Sequence, residues 1–209
     1  MGDQLGFALY LISDRRQARR PLSDLLEECL YAGLKAVQLR EKDLPVRGLL
    51  SLAVPLREAT RRHGARLLVN DRADVALTVG ADGVQRTQAS LPVGVLRGIA
   101  PRPFLIGASV HSEAEAREAA AEGADFLVFG PVYDTPSKRQ YGPPQGLDAL
   151  GRVVSAVDVP VLAVGGVTPP RVPELLAAGA QGVAVISAIL GAFRPADQVK
   201  AFLDALGRA

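Results

Sequence analysis

Cationic and amide side chains gather in Gln38-Leu39-Arg40-Glu41-Lys42, which begins inside an apolar run at residues 36–39 that reads as a β-strand. Side chains alternate along a strand, so continuing that alternation puts Gln38, Arg40 and Lys42 on one side. Two cations and an amide together suit a diphosphate or a carboxylate. The competing reading is a charged surface turn closed by an Arg–Glu pair. A second cluster, Asn70-Asp71-Arg72, follows another apolar run. Its carboxylate either binds Mg2+, which takes one or two carboxylates plus phosphate oxygens, or caps the helix that starts near Ala73. Ser109 and His111 follow a third run. The hydroxyl can donate to a phosphate oxygen, while the imidazole is either an acid–base group or a packing and helix-start residue. Thr135-Pro136-Ser137-Lys138 sets two hydroxyls and an ammonium on an irregular stretch. That stretch supplies either phosphate contacts or a Pro-rich surface loop.

The strongest signal from residue types alone lies in Val164-Gly165-Gly166-Val167-Thr168 and Ile186-Ser187-Ala188. Glycines let backbone N–H groups approach an anion, and a helical turn starting at Ser187 adds its positive N-terminal dipole. Tight-turn glycines with no ligand are the alternative.

These clusters need a scaffold that brings them together, and the hydrophobic pattern supplies one. Short apolar runs at 8–12, 36–39, 66–69, 83–84, 104–108, 126–129, 160–164 and 182–186 alternate with helical patterns at 21–32, 45–63, 73–79, 93–99, 113–122, 147–157, 170–178 and 196–206. Gly33, Gly80, Gly123 and Gly179 stand where helical patterns stop. Strands separated by helices imply a parallel sheet. Eight such units without a long interruption predict one (β/α)8 TIM barrel over residues 1–209, whereas an open flavodoxin-like sheet needs five strands. Active sites of such barrels lie at the C-terminal ends of the strands, and phosphate sites often use the loops after strands seven and eight. Every cluster above falls at such an end. The longest irregular stretch, residues 131–146, follows the sixth strand and is a candidate lid.

Composition narrows the classes. A chain of 209 residues suffices for one hydrophobic core and is too short for two comfortable α/β domains. No stretch approaches 18 apolar residues, which argues against a membrane span. The first residues lack the basic and apolar regions of a secretory signal, so a cytoplasmic location is expected. Cys29 is the only cysteine and reads as a small buried hydrophobe; with two histidines it makes no zinc cluster. A net charge of +2 and 5% aromatic residues, with no helix-turn-helix or RNA-stacking pattern, argue against a nucleic-acid partner. The densest cationic run, Arg15, Arg16, Arg19 and Arg20, reads as a solvated loop in preference to an anion site. The sequence is compatible with a homo-oligomer.

Taken in order, Gln38-Leu39-Arg40-Glu41-Lys42, Asn70-Asp71-Arg72, Gly83-Val84, Ser109, Gly130-Pro131-Val132, Thr135-Pro136-Ser137-Lys138, Gly165-Gly166 and Val185-Ile186-Ser187 resemble the thiamine phosphate synthase family from Leu9 to Leu206. Single pieces are weak, and the full order at barrel spacing is specific. The resemblance implies that 4-amino-5-hydroxymethyl-2-methylpyrimidine diphosphate and a thiazole phosphate combine to give thiamine phosphate and pyrophosphate. It implies a dissociative reaction through a pyrimidine carbocation. Carried over, Gln38, Arg40, Lys42, Asn70, Ser109 and Lys138 look like the pyrimidine diphosphate site, with Leu39 and Glu41 in the same segment. Arg40, Lys42, Ser109 and Lys138 look like the groups acting on the reacting atoms. Asp71 looks like a Mg2+ ligand. Thr135, Ser137, Gly166, Ile186 and Ser187 look like the thiazole phosphate site, with Pro136 inside its loop.

The sequence departs from the family pattern in places. Ser137 stands where the family often has Thr, which keeps the hydroxyl. Many members carry a second Mg2+-binding Asp in a His-Leu-Gly-Gln-x-Asp stretch after strand four. Here that stretch reads Gln85-Arg86-Thr87-Gln88-Ala89-Ser90, so Ser90 takes the Asp position and any metal contact from it would be weaker. Two other readings stay open. A thiazole tautomerase of the same superfamily fits Ser90 and Ser109-Val110-His111-Ser112, but Pro131 stands where those enzymes tend to place a catalytic His. A non-catalytic barrel that binds a phosphate ester would have no need of Arg40, Lys42 and Lys138 together.

Overall fold

The computed structural model describes residues 5–135, 139 and 142–207. Eight parallel strands close into a barrel in chain order. They are β1 (Leu9–Ile12), β2 (Ala36–Leu39), β3 (Arg66–Asn70), β4 (Gly83–Arg86), β5 (Leu105–Val110), β6 (Phe126–Phe129), β7 (Val161–Val164) and β8 (Gly182–Val185). The crossovers are α1 (Leu22–Tyr31), α2 (Val46–Arg62), α3 (Ala73–Thr78), α4 (Val93–Ile99), α5 (Glu113–Ala121), α6 (Gly146–Ser155) and α7 (Val172–Ala177), the last entered through a 3-10 turn at Pro169–Arg171. A short α8 (Ser187–Leu190) and α9 (Pro195–Ala205) follow β8. Pairing of Leu9 with Val183 and Leu11 with Val185 closes the ring. The expected (β/α)8 architecture is therefore the one found. None of the described helices is long and apolar enough to cross a membrane.

Two strands run past their apolar stretches. β4 continues to Arg86 and β5 to Val110, and the polar residues Gln85, Arg86 and Ser109 concealed the extension. In the ladder Gln85 lies between Asn70 of β3 and Gly107 of β5. Alternation sorts the side chains into two cores. Tyr10, Ala36, Leu68, Phe126, Leu162 and Ala184 fill the barrel interior. Leu9, Leu11, Val37, Leu39, Val69 and Val84 turn outward to the helices. Edge-on contacts of Phe126 with Phe7 and Tyr10, at centroid separations of 5.6 and 5.7 Å, plug the lower barrel. Burial holds the Tyr10 phenol far above its ordinary titration range, so this ring is a neutral floor beneath the mouth. Cys29 is fully buried on the inner face of α1, with its thiol pushed up to about 12 by desolvation, which makes it inert.

The N-terminal end of the barrel carries a repeated clamp. Just before β4, Asp82 accepts the Leu67 N–H at 2.8 Å and Arg57 Nη1 at 2.6 Å. Just before β6, Asp125 accepts the Ile106 N–H at 2.7 Å and also pairs with Arg97. Just before β8, Gln181 accepts the Val161 N–H at 2.6 Å. Each stitches an even strand to the start of the preceding odd one, far from the mouth, where stability rather than chemistry is decided. Asp82→Ala would strand the mostly buried Arg57 and the Leu67 N–H. A loss of about 2–4 kcal/mol is expected from truncating one partner of such a pair. Chemical denaturation should show that loss, while ligand affinity at the mouth stays unchanged.

Candidate active site at the barrel mouth

Gln38 is an inward residue of β2; it is buried and donates from Nε2 to the Tyr10 hydroxyl at 3.3 Å. β2 ends at Leu39, so the alternation expected to carry through Lys42 stops there. Lys42 instead occupies an exposed turn. Arg40 is half-buried; its N–H donates to Ser13 Oγ at 2.8 Å, and its guanidinium has no partner among the described residues. The side chains of Leu39 and Glu41 are both committed within the protein. The Leu39 side chain packs outward against the helices. The Glu41 carboxylate is 1% exposed and already accepts Ser13 Oγ at 2.6 Å, the Arg15 N–H at 3.1 Å and Arg15 Nη1 at 3.1 Å. The arginine run is spent within the protein. Arg15 also grips Asp43, Arg16 pairs with Asp14, Arg20 pairs with Glu28, and Arg19 donates to the Gly191 carbonyl and lies over the Phe193 ring.

The next arc of the rim is a hydrogen-bonded net centred on Asp71. Among the described residues Asp71 is the only non-glycine with positive φ, at 59°. That left-handed geometry is sparsely populated and, where observed, points to a functional constraint. Asn70 Nδ2 donates to Asp71 Oδ2 at 2.7 Å. Asp71 Oδ1 accepts Thr87 Oγ1 at 2.8 Å, the Thr87 N–H at 3.3 Å and Ser90 Oγ. The capping alternative fails, because no side chain caps α3 and its N-cap position is Arg72. Gln85 lies beneath, donating from Nε2 to Ser109 Oγ at 3.0 Å. Gly107 makes room for it, since a Cβ there would stand 2.4 Å from Gln85 Oε1. Arg86 has the strand parity of Val84, which faces away from the barrel interior.

Three of these groups escaped the sequence reading. Ser13 follows the first apolar run and Thr87 the fourth, so position at a strand end was the available signal. Gln85 was hidden because strand four was read as two residues.

The third arc joins β6, β7 and β8. Gly130 has its carbonyl bound by His111 Nδ1–H at 2.5 Å, so the imidazole serves as a strut between the β5 and β6 loops. Gly165 and Gly166 have φ of 97° and 64°; a Cβ would stand 2.5 Å from Pro131 Cβ in the first case and 2.7 Å from Tyr133 Cβ in the second. The β6 loop therefore lies directly on the glycine pair. Tyr133 fastens it, donating to Glu174 at 2.5 Å beneath the Arg171 guanidinium, whose carbon is 4.4 Å from the ring centroid. Burial, and then the neighbouring Glu174 carboxylate, hold that phenol protonated well above its ordinary range. Arg171 Nη1 also donates to the Gly166 carbonyl at 2.6 Å. Thr135 Oγ1 donates to the Tyr133 carbonyl at 3.1 Å. Ile186 precedes α8 and its carbonyl accepts the Ile189 and Leu190 N–H groups, leaving the Ser187 and Ala188 N–H groups that open the helix without helical acceptors. Pro136, Ser137 and Lys138 lie outside the described residues. Gly166→Ala should raise KM for a phosphate ligand at this arc about tenfold, from left-handed strain and displacement of the Tyr133 loop. Steady-state kinetics would check it, with the other ligand's KM as control.

Among the described residues no three His, Cys, Asp or Glu side chains cluster as a metal site. Asp71 with the Ser90 hydroxyl still fits a hard cation that takes its remaining ligands from phosphate oxygens and water. A surface cleft of about 690 Å3 lies elsewhere, between α5 and α6, and is open to solvent. Inward strand-end residues converge instead at the mouth, which is the candidate site.

The chain matches the family model described as thiamine monophosphate synthase over residues 9–189. It is 49% identical over 188 residues to a thiamine-phosphate synthase of Methanoculleus marisnigri, covering 90% of this chain and 89% of that one. A thiamine-phosphate synthase of Roseiflexus castenholzii is 43% identical over 197 residues, at coverages of 94% and 86%. The solved thiamine phosphate pyrophosphorylase from Pyrococcus furiosus superposes with a TM-score of 0.90 at 38% identity, covering 98% of this chain and 97% of that one. This barrel belongs to the thiamine monophosphate synthase family.

Proposed function

We infer that this chain is a transferase of thiamine biosynthesis, joining 4-amino-5-hydroxymethyl-2-methylpyrimidine diphosphate to a thiazole phosphate. One observation carries the reading: the rim divides into two anion-friendly arcs. Gln38, Arg40, Asn70 and Ser109 lie in or just beyond β2, β3 and β5, and Gly165, Gly166 and the start of α8 follow β7 and β8. Two phosphorylated substrates need two such arcs on one mouth. The methylene–oxygen bond breaks, the diphosphate leaves with the electron pair, and the thiazole nitrogen lone pair forms the new carbon–nitrogen bond. No proton is abstracted, so the site requires no general base, and His111 is left to its strut. What the reaction does require is charge stabilisation on the leaving diphosphate and alignment of the nucleophile.

Arg40 and Lys42, together with Lys138, would hold the diphosphate. Ser109 would donate to it or to the ring beside it, and Asn70 would orient the ring. Thr135, Ser137, Gly166, Ile186 and Ser187 would hold the thiazole phosphate, with Pro136 shaping the loop. Asp71, helped by Ser90, would hold Mg2+, which when bound neutralises charge on the leaving group. Pro131 offers no proton-transfer group where a tautomerase would use one, which favours the synthase.

The test is direct. Purified protein is mixed with both substrates, with and without Mg2+, and thiamine phosphate is assayed. Mg2+-dependent product is expected. No product under any metal condition, together with turnover of a carboxythiazole tautomer, would replace this reading by the tautomerase.

A further inference from the structure

The buried Glu41 carboxylate has no task in the reaction above, although it sits between Arg40 and Lys42. A negative charge beside a diphosphate site is unfavourable unless something else requires it. Its hydrogen bonds show what does. Glu41 Oε1 accepts Ser13 Oγ at 2.6 Å, and the same Ser13 oxygen accepts the Arg40 N–H at 2.8 Å. Glu41 also accepts the Arg15 N–H, at 3.1 Å to Oε2, and Arg15 Nη1 at 3.1 Å. Arg15 then closes a two-pronged grip on Asp43, at 2.7 Å through each of Nη1 and Nη2. The cluster spans 28 residues of sequence between Ser13 and Glu41 and ties the β1 loop to the β2 loop.

We propose that Glu41, through Ser13 and Arg15, is the positioning residue that fixes Arg40 for the diphosphate. This rests on the diphosphate reading of that arc. Three observations support positioning over ligand contact. Ser13 is wholly buried and the Glu41 side chain is 1% exposed, so neither is open to a ligand. β2 hydrogen bonding ends at Leu39, so nothing in the sheet itself holds Arg40 in place. Ser13 donates its single proton to Glu41, which directs its lone pairs to the Arg40 N–H and so aims the chain beyond the strand end. Arg15 pairs with both Glu41 and Asp43 and so offsets part of the negative charge of the carboxylates that shape the loop. The strong hold of Arg15 on Asp43 is seen in the Asp43 carboxyl, lowered to about 2.

The test uses full-length protein and calorimetric binding of pyrophosphate and of the thiazole phosphate, each alone. Glu41→Ala is expected to weaken pyrophosphate about tenfold while thiazole phosphate affinity stays within twofold. Because Glu41 acts through Arg40, Glu41→Ala combined with Arg40→Ala should bind pyrophosphate no more weakly than Arg40→Ala alone. Glu41→Gln, which can still accept from Ser13, should recover part of the loss and serves as the variant if Glu41→Ala does not fold. Unchanged pyrophosphate affinity in a folded variant, equal loss of both ligands, or full additivity with Arg40→Ala would each overturn the proposal. If the unmodified protein binds neither ligand, the functional reading fails first, and the two failures are thereby told apart.

Discussion

Arg40→Ala is expected to lower kcat/KM for the pyrimidine diphosphate by roughly 100- to 1000-fold, at unchanged thermal stability. Removing one pre-placed donor from a developing anion typically costs about 2.7–4 kcal/mol of transition-state stabilisation. Arg40 suits that role because its guanidinium makes no ion pair within the described residues, so truncation leaves no buried charge behind. Arg57 and Arg97, by contrast, are committed to Asp82 and Asp125 at the other end of the barrel. Arg40→Lys should recover only part of the loss, since a lysine supplies charge without the planar fork. The thiazole phosphate KM should hardly move, because that ligand belongs to the β6–β8 arc. Lys138→Ala is expected to give a loss of similar size. Initial-rate kinetics with each substrate varied in turn would decide. A fall in affinity for both substrates would mean that Arg40 shapes the whole mouth.

Much of this could be read in the sequence, and for physical reasons. A strand buried on both faces is a nearly continuous apolar run, so β6 matches its run residue for residue, and β2 does so around the buried Gln38. Helices end at glycines such as Gly33 and Gly123, whose positive φ few other residues adopt. Backbone demands of that kind leave a mark at a single position. The strand ends at the mouth are different. There the apolar signal fades because the inward residue is chosen for a ligand, so Gln85 and Ser109 seemed to lie beyond their strands. Glu41 shows a second limit. Spacing places it between two cations and suggests a ligand contact, yet its partners Ser13 and Arg15 are more than twenty residues away, and no local pattern predicts that pairing. Asp71 shows a third. Capping and metal binding ask for the same residue after a strand, and only the contacts of Asn70, Thr87 and Ser90 removed the cap.

Those contacts make Asp71 and Ser90 the second place where a large effect is expected. Asp71→Asn would put an amide where four donor groups now converge. One of its two ends must then face Asn70 Nδ2 or the Thr87–Ser90 donors with a donor of its own. A loss of more than roughly 100-fold in kcat/KM is expected, with the Mg2+ response abolished. Ser90→Asp does the opposite. It converts a donor to Asp71 into a second carboxylate within contact distance, and like charges that close disfavour each other unless a cation lies between them. Without metal the variant should therefore be less stable than the parent by about 1–2 kcal/mol, and Mg2+ should restore it by binding the folded state. The Mg2+ concentration giving half-maximal rate should fall about tenfold, since two hard anions now share the ion. Thermal melts in chelator and in Mg2+ read the first effect without any turnover, and a metal titration of the rate reads the second. A Ser90→Asp protein that melts at one temperature in both conditions would mean that the Thr87–Ser90 turn is a hydrogen-bonded brace for Asp71 alone, and that the diphosphate charge is met by Arg40, Lys42 and Lys138.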